Sequence, residues 1–467
     1  MPEHFDAIVI GTGQGGSPLA VRLANNGRKT AVIEREKFGG TCVNVGCTPT
    51  KAYVASARAA HVARRAADYG VRVAGEVTVD LAQVKARKDK IIGQSRDGVE
   101  RWLRTTDNVT VFKGHARFTG PHALSVTHPD SGNVLAELQA EEIFINTGTR
   151  AVIPRLDGIE RIRYHTNSTL LDLTELPKHL VIVGASYIAL EFAQVFRRFG
   201  SRVTMLVRGA RVLTREDEDF ARNVQQVLAR EGVEFRFGAE PSRVEPLREN
   251  GEGVRILFGG DAAPLDASHL LFATGRRPNT DDLCLDAAGI AVDQHGTIPV
   301  DGQLRTNVPG IWAIGDVNGR GAFTHTSYDD FQIVSANLFD GGKRSVDDRI
   351  IAYAVFVDPP LARVGMSESE VRKSGRDALI ATMPMTRVGR AREKGETDGF
   401  MKVLVDGQSK QILGATILGV DGDEAIHTFI DIMTARAPYT TLQFAMHIHP
   451  TISELVPTLL DGLGPLK

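Results

Sequence analysis

Residues 7–16 read AIVIGTGQGG, and this stretch decides the fold of the first part of the chain. An apolar run leads directly into the pattern G-x-G-x-x-G, carried by Gly11, Gly13 and Gly16. In a strand–turn–helix unit, the first glycine allows the turn, the second lets a pyrophosphate approach the backbone, and the third lets helix and strand pack closely. The helix N-terminus then offers amide donors to the phosphates. The stretch predicts a dinucleotide-binding Rossmann-like unit.

The residues that follow complete this unit. Residues 19–24 predict a helix, and residues 30–33 predict a second strand that ends at Glu34. Glu34 comes about 20 residues after the glycines, where a carboxylate accepts hydrogen bonds from ribose hydroxyls. Two strands and a terminal acid frame the glycines, so the pattern is more specific than a lone G-x-G-x-x-G.

A second copy of the pattern starts at Gly184, after the apolar run at residues 180–183. It is degenerate, because Ser186 and Ala189 stand where glycine is commonest, but small residues still allow close approach of a dinucleotide. Its second strand is predicted at residues 202–207. The repeat therefore indicates a second dinucleotide-binding domain rather than a solenoid.

The end of this second strand bears on the choice of nucleotide. No carboxylate stands there, and Arg208 follows Val207 directly. A guanidinium suits the 2′-phosphate of NADPH, whereas an acid would accept from the free 2′-hydroxyl of NADH. We therefore expect NADPH rather than NADH. The alternative is that Arg208 and Arg211 are solvated loop arginines.

Residues 39–51 read GGTCVNVGCTPTK and hold two of the three cysteines. Four residues separate Cys42 from Cys47, and no further Cys/His pair at short spacing completes a zinc site, so no metal site is predicted. Two buried structural thiols are the alternative. Because the pair follows a dinucleotide site closely, the sequence favours a redox-active disulfide.

Composition limits the other classes of function. The chain has 467 residues, 42% apolar and 24% charged, with a formal net charge of −2. This balance gives no indication of nucleic acid or an anionic membrane as partner. No apolar stretch approaches the roughly 18 residues of a membrane span, and the N-terminus lacks a basic signal region. Three cysteines make a structural disulfide framework implausible, so we expect a cytoplasmic protein.

Later segments predict further domains. Residues 143–148 and 270–275 are strand-like and end in Thr-Gly, and a third strand ends at Gly315-Asp316. Asp316 could accept from a polyol hydroxyl, or cap a helix. From residue 353 onward the pattern becomes strand-rich and predicts a separate α+β domain. The predicted division is 1–150 and 278–345 for the first nucleotide domain, 151–277 for the second, and 346–467 for the C-terminal domain.

The whole chain resembles the class I pyridine nucleotide–disulfide oxidoreductases, which include glutathione reductase, lipoamide dehydrogenase and mercuric reductase. The resemblance rests on the first fingerprint, the two-cysteine run, the second fingerprint, ATGRRPN at 273–279, AIGD at 313–316 and HPTISE at 449–454. It implies an α/β fold with two Rossmann-like domains, one for FAD and one for NAD(P), plus a C-terminal α+β dimerisation domain. It also implies a homodimer whose active site combines both subunits.

The resemblance implies roles for particular residues. Cys47 resembles the flavin-proximal thiol and Cys42 the thiol that attacks substrate. His449 and Glu454 resemble the acid–base pair donated by the other subunit. Lys51 and Glu191 resemble the pair beside the flavin, and Tyr187 the residue that covers it. The cofactor contacts implied at matching positions further include Gly11, Gly13, Gly16, Glu34, Gly40, Thr41, Thr147, Gly148, Gly184, Ser186, Ile188, Arg208, Gly275 and Asp316.

The acceptor of the electrons is open at this stage. The end of the chain lacks the paired cysteines of mercuric reductase and keeps the His-Pro dyad that mercuric reductase lacks. Residues 323–330 depart from the usual disulfide reductases. They look more like the mercuric-reductase-like branch, which includes the reactive-chlorine-resistance flavoproteins. Two soft thiolates could also bind Hg(II) or Cu(II).

Three functions follow from these observations. The first is an NADPH-dependent flavoprotein that reduces a disulfide, an oxidised thiol species or a thiophilic metal ion. The second is an NADH-linked dihydrolipoamide dehydrogenase. The third is a flavin-containing binding or signalling protein with vestigial chemistry, against which the intact set of Cys42, Cys47, His449 and Glu454 argues.

Overall fold

The computed structural model describes residues 1–248 and 252–467, which form two compact units. Both units are discontinuous in sequence. Unit 1 comprises Met1–Ala52, Lys85–Val152 and Gly275–Arg349, and unit 2 comprises Tyr53–Val84, Ile153–Thr274 and Ile350–Lys467. The finer division into three domains remains a prediction.

The strands and helices follow one another along the chain in a mixed α/β order. The strands are β1 (Glu3–Ile10), β2 (Thr30–Glu34), β3 (Val109–Lys113), β4 (His115–Gly120), β5 (Ala123–Thr127), β6 (Val134–Ile145), β7 (Thr149–Ala151), β8 (His179–Val183), β9 (Arg202–Val207), β10 (Val233–Phe237), β11 (Pro241–Pro246), β12 (Val254–Phe258), β13 (Leu265–Ala267), β14 (His269–Phe272), β15 (Arg276–Pro278), β16 (Ile311–Ala313), β17 (Ala352–Val355), β18 (Leu361–Gly365), β19 (Ala378–Pro384), β20 (Phe400–Asp406), β21 (Ile412–Leu418) and β22 (Gly464–Pro465). The helices are α1 (Gly16–Asn25), α2 (Gly40–Asn44), α3 (Cys47–Arg64), α4 (Leu81–Thr105), α5 (Asn167–Leu170), α6 (Tyr187–Phe199), α7 (Glu218–Arg230), α8 (Thr324–Phe339), α9 (Glu368–Ser374), α10 (Gly389–Glu393), α11 (Gly422–Ala425), α12 (His427–Thr434), α13 (Thr440–Gln443) and α14 (Val456–Asp461).

Unit 1 is built on a sheet with strand order β3-β2-β1-β6-β5-β4, and β16 also pairs with β6. β3, β2, β1, β6 and β16 run parallel, whereas β4 and β5 form an antiparallel extension. Ile8, Val9, Ile143 and Phe144 are fully buried, as expected of parallel strands covered on both faces. The carboxyl ends of the parallel strands meet at one edge, which is where ligands bind in such sheets.

Unit 2 contains a parallel sheet of order β10-β9-β8-β14 and an antiparallel sheet of β11, β12 and β13. Its C-terminal part is a six-stranded antiparallel sheet of order β17-β18-β21-β20-β19-β22. Apolar residues of β20 and β21 pack there against α12 and α14, including Val403, Ile417, Phe429 and Leu459.

The structure confirms the predicted α/β class. β2 ends at Glu34 and β9 spans residues 202–207, both as the sequence indicates. Residues 276–278, which belong to the ATGRRPN motif, pair as β15 with β7 in a short antiparallel ribbon. Within the described ranges, no helix has the length and apolar character needed to cross a membrane.

Candidate functional site

The glycine turn between β1 and α1 is as tight as the fingerprint predicts. Gly11 has φ +99°, and a Cβ atom there would lie 2.4 Å from the carbonyl oxygen of Asn146. A Cβ atom at Gly13 would lie 2.8 Å from Asn146 Oδ1, and one at Gly16 would lie 2.3 Å from the carbonyl oxygen of Gly11. Side chains at these positions would therefore collide with Asn146 or with the turn itself, and not only with a ligand.

Asn146, which the sequence analysis did not single out, holds this turn. It follows β6 directly, and its Oδ1 accepts from the Gly16 amide at 2.9 Å. Its Nδ2 donates to the carbonyl oxygen of Ile314, after β16, at 2.9 Å. One buried side chain thus joins the ends of three parallel strands.

Glu34 also lies at this edge. Its Oε2 accepts from the Thr12 amide at 3.1 Å and from the Thr12 hydroxyl at 2.5 Å, and its Oε1 accepts from the Glu36 amide at 2.8 Å. The carboxylate is thereby fixed beside the glycine turn. Oε1, with one donor, keeps a second lone pair with which to accept from a ribose hydroxyl.

Gly40 and Thr41, in the first turn of α2, come close to the same place. Gly40 has φ +63°, and a Cβ atom there would lie 2.9 Å from the Cα of Gly13. Gly39, just before it, donates its amide to the carbonyl oxygen of Thr12 at 3.1 Å. The loop that leads to the cysteines is therefore packed directly on the glycine turn.

Asp316 lies in a short 3₁₀ turn after β16, whose N-cap is Ile314, so Asp316 is not the N-cap that the sequence allowed. Its Oδ2 accepts from the Thr149 hydroxyl at 2.9 Å, and Arg276 donates to that same hydroxyl at 2.8 Å. Burial raises the pKa of Asp316 above its ordinary value, although Thr149 and Arg276 oppose the shift.

Thr147 and Gly148 connect β6 to β7 near this carboxylate. The Thr147 hydroxyl donates to the Asn279 carbonyl at 2.9 Å, and the Gly148 carbonyl accepts from the Asn279 amide at 3.0 Å. Gly275 precedes β15, with φ +129°, and its carbonyl accepts from the Val152 amide at 3.0 Å. Hydrogen bonds that involve backbone groups hold these residues and fix the β7–β15 ribbon.

These residues fit an extended FAD. Three features lie along the carboxyl edge of one sheet. They are the glycine turn at residues 11–16, which leaves no room for Cβ atoms at its fingerprint positions, the fixed carboxylate of Glu34 and the half-buried carboxylate of Asp316. Backbone amides suit a pyrophosphate, and the two acids suit hydroxyl groups of a ribose and of a polyol.

Cys42 and Cys47 lie on consecutive helices of this region. Neither forms a disulfide, so the structure holds the reduced form of the predicted pair. A hydrogen bond to Cys47, and then burial, raise the pKa of the Cys42 thiol far above its usual range. Cys47 is the first residue of α3, where the positive end of the helix dipole favours negative charge on its sulfur. The Cys42 thiol therefore stays protonated at neutral pH.

Thr324 is a second residue that the sequence analysis missed. Its Oγ1 lies 3.3 Å from Cys47 Sγ, and its hydrogen bond lowers the pKa of Cys42, opposing the two larger causes. Thr324 is the first residue of α8, so the Cys47 sulfur faces the N-termini of two helices. The sequence pointed to residues 323–330 only as a departure from other disulfide reductases.

The three other residues predicted beside the flavin lie on two helices. Lys51 is on α3, one turn after Cys47, whereas Glu191 and Tyr187 are on α6, whose residues all belong to unit 2. Glu191 is buried, and its Oε1 accepts from the Phe356 amide at 2.9 Å. Tyr187 is the first residue of α6 and is half-buried.

The second fingerprint forms the β8–α6 turn. Gly184 has φ +144°, and a Cβ atom there would lie 2.4 Å from the carbonyl oxygen of Ala273. Ser186 is the N-cap of α6, but its side chain makes no capping bond, and it is exposed. Ile188 is half-buried in the first turn of the helix. The turn therefore has the shape of the first one, with an exposed hydroxyl in place of a glycine.

The structure separates the two arginines that follow β9. The Arg208 side chain is exposed and makes no hydrogen bond or ion pair with any described residue. Arg211 is half-buried and donates to the carbonyl oxygens of Glu216 at 2.9 Å and of Thr214 at 3.0 Å. Of the two arginines, Arg208 is therefore the one whose whole guanidinium is available to a ligand.

His449 and Glu454 form the expected pair within one chain. His449 Nδ1 lies 2.8 Å from Glu454 Oε2, and the histidine side chain is 80% exposed. Three apolar side chains just before it are also exposed, Phe444 at 82%, Met446 at 99% and Ile448 at 80%. The dyad thus stands on an apolar surface that is open in the single chain.

The residues in the described ranges include no cluster of three or more His, Cys, Asp or Glu side chains that could hold a metal ion.

The family model described as pyridine nucleotide-disulphide oxidoreductase matches residues 5–330, and the model of its dimerisation domain matches residues 351–460. The chain belongs to the pyridine nucleotide–disulphide oxidoreductase family. It is therefore an enzyme of the flavoprotein disulfide oxidoreductase class, as the resemblance implied. The family uses FAD and a pyridine nucleotide.

Relatives with different functions cover almost the whole chain. The probable pyridine nucleotide-disulfide oxidoreductase RclA of Escherichia coli is 39% identical over 97% of this chain and 98% of its own. A dihydrolipoyl dehydrogenase of Cupriavidus necator is 34% identical over 98% and 97%, and a mercuric reductase of Streptomyces lividans is 32% identical over 96% and 94%. These relatives span the acceptors that the sequence left open.

A solved structure with the same fold is the Cu(II) complex of the HOCl-induced flavoprotein disulfide reductase RclA from Escherichia coli. It is 38% identical, covers 98% of this chain and 99% of its own, and matches with a TM-score of 0.89.

Proposed function

We propose that this chain is an NADPH-dependent flavoprotein reductase that delivers electrons through Cys42 and Cys47 to a disulfide, an oxidised thiol species or a thiophilic metal ion. The observation that carries the proposal is the reduced thiol pair, in which Cys47 begins α3 and its Sγ lies 3.3 Å from Oγ1 of Thr324, the first residue of α8. Bound FAD would supply the two-electron link between the reduced nicotinamide and this pair. The small number of cysteines also supports action in the cytoplasm.

With a disulfide acceptor, the two thiols react in two successive exchange steps. A base removes the proton of Cys42, and the Cys42 sulfur attacks one sulfur of the acceptor, breaking its S–S bond and releasing the first thiolate. That thiolate takes the proton. Cys47 then attacks Cys42, which closes the Cys42–Cys47 disulfide and releases the second thiolate. The acceptor gains two electrons and the enzyme pair loses them.

A base is needed because the pKa of Cys42 is raised by the bond to Cys47 and by burial. His449, oriented by Glu454, is suited to take that proton and return it to the leaving thiolate. We propose that the partner subunit supplies it, since the imidazole is exposed on the dimerisation domain among apolar side chains. The fit of Lys51, Glu191 and Tyr187 to the flavin side of the site rests on the resemblance.

NADPH is proposed over NADH because the position after β9 carries the unengaged cation Arg208 and no carboxylate. Dihydrolipoamide dehydrogenase with NADH is the second candidate, supported by the dihydrolipoyl dehydrogenase relatives and by the retained His449–Glu454 dyad.

The test is an anaerobic titration of the purified holoenzyme with NADPH and with NADH, followed by a panel of acceptors. Flavin bleaching at lower concentrations of NADPH, with turnover of a disulfide, Hg(II) or Cu(II), is expected. Preference for NADH together with fast dihydrolipoamide oxidation would replace the first proposal with the second.

The His449→Gln variant separates classes of acceptor. A positioned acid–base contributes roughly 10²–10⁴-fold to proton transfer, and the first thiolate that leaves a disulfide takes the proton that the base removed from Cys42. A metal ion bound by the two thiols releases no such thiol. The variant should therefore lose far more turnover with a disulfide than with Cu(II), while flavin reduction by NADPH survives.

A further inference from the structure

The segment from Gly209 to Glu216, which we call the β9 loop, links Arg208 to the rest of unit 2. Leu213 lies at its centre with φ +46°, and its amide donates to the carbonyl oxygen of Ala185 at 2.9 Å. Ala185 is inside the second fingerprint turn. The β9 loop and the dinucleotide turn are therefore joined by a direct backbone bond.

Arg211 closes this loop from within. Its guanidinium bridges the carbonyl oxygens of Thr214 and Glu216, and the Glu216 amide in turn donates to the Leu213 carbonyl at 2.9 Å. The planar fork of an arginine can hold two carbonyl groups at once, which a lysine ammonium does with less geometric control. Both Nη groups of Arg211 are thereby committed to the loop.

The loop is also fixed at its two ends. Near the start, the Gly209 carbonyl accepts from the Gly238 amide at 3.3 Å. Near the end, Arg363 donates to the Arg215 carbonyl at 3.2 Å, and the buried Glu216 carboxylate accepts from the Tyr353 hydroxyl. Between these ends, the loop is held by the Leu213–Ala185 backbone bond and by the fork of Arg211.

We propose that Arg211 is a positioning residue for NADPH, which acts on the 2′-phosphate through Arg208 and not by contact of its own. The proposal rests on the proposed NADPH function. The fork of Arg211 holds the β9 loop in the form in which Arg208, at the loop's entrance, extends from the carboxyl end of β9. Because the loop is already ordered, Arg208 can bind a phosphate without the entropy cost of ordering a mobile loop.

The test measures binding of 2′,5′-ADP and of 5′-ADP to the holoenzyme by calorimetry, because the two ligands differ in the 2′-phosphate. Arg208→Met is expected to weaken 2′,5′-ADP by about 10- to 100-fold, the range for a hydrogen bond to a charged group. Arg211→Met is expected to weaken it by about 3- to 10-fold. Neither should change the affinity for 5′-ADP by more than about twofold.

The double variant decides how Arg211 acts. If Arg211 acts through Arg208, Arg208→Met with Arg211→Met should bind 2′,5′-ADP as Arg208→Met alone does. Effects that multiply would mean that Arg211 contacts the phosphate itself and would overturn the proposal. An Arg211→Met effect equal for both ligands would do the same, because it would reflect general loss of the turn.

Two further variants separate geometry from charge. Arg211→Lys keeps the charge but not the fork, and should weaken 2′,5′-ADP nearly as much as Arg211→Met. Arg215→Met removes a charge from an exposed side chain of the same loop and should leave affinity within about twofold. A full rescue by Arg211→Lys, or an equal loss in Arg215→Met, would show that net charge is what matters. If Arg208→Met itself changes nothing, the NADPH proposal fails and not only the role of Arg211.

Discussion

At the scale of single residues, the two cysteines differ in ways that assign them different tasks. Cys47 begins a helix and faces the Thr324 hydroxyl, so its sulfur is suited to hold negative charge. Cys42 is partly buried and hydrogen-bonded to Cys47, and both raise the pKa of its thiol. A thiol with a raised pKa is a poor nucleophile until a base takes its proton. In the proposed mechanism, the His449–Glu454 dyad supplies that base.

Single replacements of the cysteines should therefore have different spectra. Cys42→Ser leaves the Cys47 thiolate in place, so the long-wavelength absorbance of a thiolate beside an oxidised flavin should persist while disulfide turnover stops. Cys47→Ser should abolish both. Absorbance spectra and a disulfide reductase assay measure the two effects. Full turnover in both variants would contradict the dithiol mechanism.

Thr324 should set the potential of the thiol pair. A hydrogen bond to a charged sulfur contributes about 1.5–3 kcal/mol, and 30 mV corresponds to about 1.4 kcal/mol for two electrons. Because the bond stabilises the reduced, thiolate-bearing form, Thr324→Val should lower the midpoint potential of Cys42–Cys47 by about 30–60 mV.

Equilibration in dithiol buffers, with alkylation and mass spectrometry of the trapped thiols, measures this potential. Thr324→Ser, which keeps the hydroxyl, serves as the control and should stay near the wild-type value. An unchanged potential in Thr324→Val would remove the hydroxyl from the redox centre.

At the scale of elements, strands β1, β2, β8 and β9 were predictable because each contains an apolar run bounded by glycine or by a charged residue. β1, β2, β8 and β9 lie where the sequence places them, and both glycine turns have the required positive φ. These are local properties. Sterics at Gly11 and Gly184 act within a few residues, and the alternation of strand and helix leaves few topologies.

The contacts that complete the site were not predictable in the same way. Cys47 meets Thr324 across 277 positions, and Gly16 meets Asn146 across 130. Neither Thr324 nor Asn146 stands in a pattern with a mechanism of its own. Their roles arise only when parallel strands bring their carboxyl ends to one edge, which is a property of the sheet.

The stacked pair of His165 and His269, at β14, makes unit 2 sensitive to acid. Burial, and then the charge of His269, lower the pKa of His165 from 6.5 to about 4. The unfolded chain therefore binds more protons between these pH values, so stability should fall as the pH drops from 6.5 toward 4, on the order of 1–3 kcal/mol. His165→Phe keeps a stacked ring and cannot titrate.

Urea midpoints at pH 7.5, 6 and 5, followed by far-ultraviolet circular dichroism, measure this loss. The slope of the midpoint with pH should be smaller in His165→Phe than in the wild type. Equal slopes would assign the acid sensitivity to other groups, such as His179, whose pKa is also lowered by burial.

At the scale of the whole molecule, the dimerisation domain presents its dyad on an open apolar surface. Phe444, Met446 and Ile448 precede His449 and are nearly fully exposed in the single chain. Burial of such side chains stabilises association by about 25 cal/mol per Å² of apolar area. Under the proposed function, the acid–base pair and the dimer contact surface are therefore parts of one segment.

Hybrid dimers test whether each site draws on both chains. Cys42→Ser and His449→Gln chains, co-expressed with different tags, should form a dimer in which one site carries both changes and the other carries neither. The purified hybrid should have about half the disulfide turnover of the wild type, because a two-fold dimer has two equivalent sites. Each parent should be nearly inactive.

A hybrid of Cys42→Ser with the Cys42→Ser/His449→Gln double variant is the matched control and should remain inactive. An equally inactive first hybrid would place Cys42 and His449 of one site in the same chain.

The division of unit 1 into three separate stretches governs how the protein is made. β16 completes the sheet beside β6, with Ile311 opposite Ile143, although the two strands lie far apart in the sequence. At a synthesis rate of roughly 5–20 residues per second, β6 leaves the ribosome on the order of ten seconds before its neighbour exists. During that interval an apolar strand edge is uncovered, and Asn146 has no Ile314 carbonyl to bind. We therefore expect the nascent first half to bind chaperones, and the bond from Asn146 to Ile314 to form only after translation has passed the second fingerprint.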